Sequence, residues 1–103
     1  MNTNINAGQH EVITITPLDA DEQPGALHDD SIPSWAGPAV LVITPAMDGL
    51  SADVAVPVAT TPGVYTVNVT GQAPSAATFT SSFTVTVQAQ PATHFGFGFG
   101  PVA

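Results

Sequence analysis

Apolar residues recur at every second position over most of this chain, and no other feature restricts its fold so strongly. In EVITITP (11–17), Ile13 and Ile15 alternate with Val12, Thr14 and Thr16. LSADVAVPV (50–58) sets Leu50, Ala52, Val54 and Val56 against Ser51, Asp53 and Ala55. VYTVNVT (64–70) sets Tyr65, Val67 and Val69 against Thr66, Asn68 and Thr70, and SFTVTVQ (82–88) sets Phe83, Val85 and Val87 against Thr84 and Thr86. AVLVITP (39–45) is a nearly continuous apolar run of strand length. Successive residues of a strand face opposite sides of its sheet, so a period of two with one greasy and one small polar side reads as a half-buried strand. No segment carries a 3.6-residue stripe, and the best helix formers after Ala are scarce.

Turn chemistry separates these segments: DEQPG (21–25), WAGP (35–38), MDG (47–49), TPG (61–63) and GQAPS (71–75). Strand and turn together repeat every 10 to 15 residues or so, the rhythm of a β-sandwich more than of a barrel. Closing a sandwich takes one or two further strands, for which Asn4 to Ala7 and SIPSW (31–35) are the candidates. The expected core is Trp35, Tyr65, Val67, Val69, Phe83, Val85 and Val87. Trp35 is the only Trp and sits between Pro33 and Pro38, where a small domain places a core filler. Asp48-Gly49 forms a tight turn that makes 39–45 and 50–58 an antiparallel hairpin. Tyr65 is placed to bury its ring and give its hydroxyl to nearby backbone.

With 103 residues the chain has the length of one domain. Absence of Cys removes disulfides and thiolate metal sites. There is no Lys or Arg, against eight acids, giving a net charge of −8. Nucleic-acid binding needs cationic side chains to displace counterions from phosphate, so this composition argues against it. Anionic lipid surfaces, Arg clamps on phosphate and Lys Schiff bases are disfavoured for the same reason. The opening MNTNINAGQHE has neither a basic nor an apolar leader region, and no apolar run approaches the roughly 20 residues of a membrane span. The expectation is therefore synthesis in a cytoplasm, without membrane attachment.

Candidate chemistry is sparse. The loop 19–30 gathers Asp19, Asp21, Glu22, His28, Asp29 and Asp30. Its carboxylates, Asp19, Asp21, Glu22, Asp29 and Asp30, are a calcium candidate because hard cations take oxygen ligands. Pro24 and Gly25 stand where further ligands would be needed, so a solvated loop is the competing reading. His10, His28 and His94 are too scattered for the convergence that zinc requires. No G-x-S-x-G elbow is present, and Ser34, Ser51, Ser75, Ser81 and Ser82 read as strand and turn residues. Asn68-Val69-Thr70 is a formal glycosylation sequon of the kind that arises by chance. No enzyme activity and no cofactor are expected.

The end of the chain is more informative. Pro91 stops the last strand, and HFGFGFG (94–100) then alternates Phe95, Phe97 and Phe99 with Gly96, Gly98 and Gly100. Extended, the three rings share one side. Three readings compete: the tail folds over its own sandwich, it hangs free without a role, or it docks on a neighbour as an added strand or a Phe-bearing arm. The division is thus 1–10 as an N-terminal arm or first edge strand, 11–90 as the sandwich, and 91–103 as the Phe-Gly tail.

Three segments together resemble the bacterial immunoglobulin-like modules found in bacterial surface proteins and phage virion proteins. They are the short strand ending at Trp35, ITPAMDGLSADVAV (43–56) and PGVYTVNVTG (62–71), and the likeness covers roughly residues 10–90. The acidic loop from Ala20 to Ser31 departs from it. The resemblance implies an all-β, immunoglobulin-like antiparallel sandwich of about seven strands, here with extended terminal arms. It implies a non-enzymatic structural virion protein, a small capsid decoration or tail-associated protein. Its partners would be other virion proteins or copies of itself, with Phe95, Gly96, Phe97, Gly98 and Phe99 as the contact segment. The alternative is an adhesion module whose partner is a cell-surface protein or glycan.

Overall fold

The computed structural model describes residues 1–29 and 31–102. Seven strands run in chain order: β1 (Asn2–Asn6), β2 (His10–Thr14), β3 (Ser34–Ala36), β4 (Val42–Pro45), β5 (Ser51–Ala55), β6 (Gly63–Gln72) and β7 (Thr78–Gln88). No helix occurs among the described residues. The strands form two sheets, β1-β7-β6-β3 and β2-β5-β4. Every strand pair is antiparallel except β1 with β7, which run parallel from Asn2↔Thr84 to Asn6↔Gln88.

The alternation seen in the sequence becomes the interior. Ala52, Val54 and Val56 from the smaller sheet face Val67, Val69, Val85 and Val87 from the larger, and all are buried. Ile5, Ala7 and Leu41 complete the buried apolar set, with Trp35, Tyr65 and Phe83 half-buried against it. The run 39–45 alternates once folded, with Leu41 buried while Val40 and Val42 face solvent.

Chain crossings fix how the two layers meet. After β1 the backbone passes from the larger sheet to the smaller through Ala7–Gln9, tied by Ala7 N–H to Gln88 O (2.8 Å) and Gly8 N–H to Val56 O (2.7 Å). Gly8 has φ +84°, and a Cβ there would stand 2.4 Å from the Gln90 side chain, so a larger residue would push on both backbone and neighbour. The β4–β5 turn closes at Asp48-Gly49, with Gly49 at φ +70° and Leu50 N–H donating to Asp48 Oδ1 (3.0 Å). A Cβ on Gly49 would meet Pro33 O at 2.6 Å.

Two boundaries differ from the sequence reading. Residues 2–6 form an edge strand paired with β7, where Asn2 Oδ1 accepts hydrogen bonds from the hydroxyls of Thr84 (2.7 Å) and Thr86 (2.9 Å). The β6–β7 hairpin is longer than 64–70 and 82–88: its ladder runs through Gln72↔Thr78 and reverses at Ala73–Ala77. Residues 78–82 are exposed on both faces, so this end of the strand needs no apolar alternation and shows none.

Val67→Ala should lower unfolding free energy by about 2–3 kcal/mol, from two lost methyl-sized groups plus the residual cavity. Val64→Ala, in the same strand but 66% exposed where Val67 is 0%, should change it by less than about 0.5 kcal/mol. Urea midpoints at unchanged m-value measure both.

Candidate functional site

The two ends of the sandwich have different surfaces. One end carries the β1–β2 crossing, the β5–β6 connection and the exit of β7. The other carries the loop from Ile15 to Pro33, the β4–β5 turn and the β6–β7 turn. They are called here the exit end and the loop end.

From the exit end the chain continues past Gln88 without joining either sheet. Phe95, Phe97 and Phe99 are 86%, 81% and 93% exposed. Space around Gly96, Gly98 and Gly100 is open to 4 Å. The molecule measures 77 × 23 × 17 Å, whereas β7, the longest strand at 11 residues, spans only about 36 Å. The tail stands off its own sandwich, and the core closes without it.

Trp35 and Tyr65 are committed to the fold. Trp35 Nε1–H donates to Gly49 O (2.9 Å), and its ring meets Phe83 edge-to-face at 6.2 Å and 76°. The Tyr65 hydroxyl donates to Thr61 O (2.6 Å), so the ring reaches inward while its polar tip braces the turn before β6. Neither offers a free stacking platform for a sugar. Asn68 of the sequon faces solvent.

The acidic loop organises itself. Asp19 Oδ1 accepts from the N–H groups of Asp21 (2.9 Å) and Gln23 (3.0 Å), and Leu18 bridges to Pro24. Such side-chain-to-backbone bonds are the usual work of Asp in turns. Among the described residues no three His, Asp or Glu side chains gather in metal-binding range. Asp30 lies outside the described residues. The histidines are dispersed: His10 Nδ1 meets Asp53 Oδ1 (2.7 Å), His28 Nδ1 meets Pro74 O (3.1 Å) and His94 Nδ1 meets the Thr93 hydroxyl (3.1 Å). Among these contacts the one hydroxyl partner is Thr93, the sequence neighbour of His94 on the exposed tail.

What the sequence reading did not find is the apolar character of the loop end. A shallow depression of about 430 Å³ is lined by Leu27, Ser31, Ile32, Met47, Asp48 and Leu50. A second, of about 340 Å³, lies among Leu18, Asp19, Ala26, Pro74 and Phe79. Leu27 of the first and Phe79 of the second both pack over Gly71, within 3.5 Å of where its Cβ would stand. Met47, Ile32, Leu18 and Phe79 are 96%, 62%, 54% and 44% exposed. In sequence these are single apolar residues inside polar loops or, for Phe79, at the polar start of β7, without a period to reveal that they converge.

No family model matches the chain, and no curated protein is significantly similar to it.

Tyr65→Phe should cost about 0.5–1 kcal/mol of stability by removing one hydrogen bond at the surface of the fold. Its effect on any assembly of the protein should be nil. Urea unfolding and sedimentation of the same variant measure the two quantities.

Proposed function

We propose that this protein is a non-enzymatic structural module that attaches to an assembly through its C-terminal tail, in the setting of a phage virion as a decoration or tail-associated protein. One observation carries the assembly role: three Phe side chains are held out in solvent by a sandwich whose core is complete without them. Exposed apolar surface of this size on a soluble protein marks an interaction site. Each ring buries roughly 150 Å² or more when it finds a pocket. Ordering a glycine-rich backbone offsets much of that gain, so one docked tail is a modest contact, and many on a repeating lattice add up through multivalency.

The virion setting comes from the resemblance of residues 10–90 to immunoglobulin-like modules. Two structural features support that likeness. The strand orders β2-β5-β4 and β3-β6-β7 match the B-E-D and C-F-G arrangement of constant-type immunoglobulin sandwiches, and the Tyr65–Thr61 bond has the form of their tyrosine corner. Adhesion through glycan stacking is disfavoured, because Trp35 and Tyr65 have their polar groups bound within the fold. A net charge of −8 keeps free subunits apart at low ionic strength, and added salt favours docking by screening that repulsion.

A chain ending at Ala92 should unfold at a denaturant midpoint equivalent to within about 0.5 kcal/mol of the full-length protein. It should fail to enter any assembly, with itself or with particles, that the full-length protein enters. Loss of stability on truncation would show that the tail covers its own domain, and undiminished assembly would show that the tail is not the arm.

A further inference from the structure

We propose that the partner of the tail is a second copy of this chain, with the Phe-Gly segment 94–100 of one copy seated across the two apolar depressions at the loop end of the next. This inference rests on the reading of the tail as an assembly arm and specifies what it grips.

Placement comes first. The tail leaves from the exit end, and the depressions lie at the loop end of the same sandwich. A tail that grips a surface at the opposite end of an identical molecule makes a heterologous contact, which repeats from copy to copy as a chain or closes as a ring. Reach favours a neighbour over the chain's own surface. Phe79 lies nine residues before Gln88 along β7, about 30 Å away. Phe95 is seven residues beyond Gln88, a tether of at most about 25 Å. The depression beside Phe79 is therefore out of reach of Phe95 from the same molecule, Phe97 would need a fully taut chain, and of the three rings Phe99 alone reaches it with slack, so one molecule cannot seat all three there.

Charge selects the geometry. Asp19, Asp21, Glu22, Asp29 and Asp48 put five of the eight acids at the loop end, while the tail from Ala89 onward carries no acid and one histidine. Two loop ends brought together would oppose ten carboxylates. Like-charge juxtaposition of that kind is strongly unfavourable, whereas the neutral tail is the part of the molecule that approaches this end without repulsion. Shape agrees with charge. Rings two residues apart on an extended strand are about 7 Å apart, and one wall residue of each depression, Leu27 and Phe79, packs over the same Gly71.

The test uses two variants that each lose one half of the contact. One is the chain ending at Ala92. The other is the full-length Leu18→Glu/Met47→Glu double variant, which places charge in both depressions at positions 54% and 96% exposed, so the fold is retained and its urea midpoint verifies this. Sedimentation equilibrium should show the wild-type protein associating beyond a dimer or into a ring. Each variant alone should be monomeric, and their equimolar mixture should form a heterodimer of twice the monomer mass and nothing larger. Trp35, bonded to Gly49 beside Met47 and Leu50, should change fluorescence in the truncated chain when the mixture forms. Association of the double variant at wild-type strength would overturn the proposal in favour of tail-to-tail clustering or strand addition at a sheet edge. A mixture that stays monomeric while the wild type associates would overturn it as well. A wild-type protein that is monomeric at all concentrations yet attaches to particles through its tail would overturn the choice of a second copy and leave the assembly-arm reading standing. Attachment of the truncated chain at wild-type strength would remove both.

Discussion

The β6–β7 ladder is the constraint on which the rest of the molecule depends. Ten residues of β6 pair with β7 in one register, from Gly63↔Val87 to Gln72↔Thr78. Because the side-chain period of a strand is two, a slip of one residue would put Val67 and Val69 on the opposite face of the sheet from Val85 and Val87. Full burial of Val67 and Val85, at 0% exposure, holds that register. The hairpin then supplies both free sides of the larger sheet: β7 receives β1 in parallel, and β6 receives β3 with Trp35 opposite Val69. Through Trp35 the same ladder reaches the smaller sheet, since the indole N–H holds Gly49 in the β4–β5 turn.

A core made mostly of valine and alanine has consequences for function. β-branched side chains suit a pleated surface and leave few rotamers to lose. They build the interior between the two sheets. The aromatic residues that do take part, Trp35, Tyr65 and Phe83, lie at its margins and brace turns and strands. Polar chemistry is likewise turned inward to the backbone, as Asp19 and Asp48 cap their own turns. Exposed apolar side chains gather at both ends of the molecule, on the tail at one and among the loops at the other. Acidic charge separates these two surfaces in kind, crowding one and leaving the other neutral.

Much of the sandwich was legible because its strands alternate. The inward residues of 50–58, 64–70 and 82–88 are the ones found inside, and Asp48-Gly49 is the hairpin turn that its residue types call for. β3 was harder, since three residues around Trp35 give no period, and it is held by pairing with Ser34↔Thr70 through Ala36↔Asn68. The extension of the β6–β7 hairpin was illegible because Thr78 to Ser82 lie beyond the partner sheet and face solvent on both sides. Of the candidate site, the tail was plain from HFGFGFG. The loop-end depressions were not, because Leu18, Leu27, Ile32, Met47 and Phe79 come from three separate segments and meet only when the sheets are stacked.

Amide hydrogen exchange on the full-length protein, dilute and then concentrated, tests the central claim most directly. If the tail is an arm carried by a self-sufficient sandwich, the amides of Phe95 to Gly100 exchange at unprotected rates in dilute solution while those of β6 and β7 are strongly protected. Tail protection then rises as the protein associates or meets its particle, with no change in the ladder. Protection of the tail amides in the dilute monomer would contradict the account, because the Phe-Gly segment would then be part of its own fold.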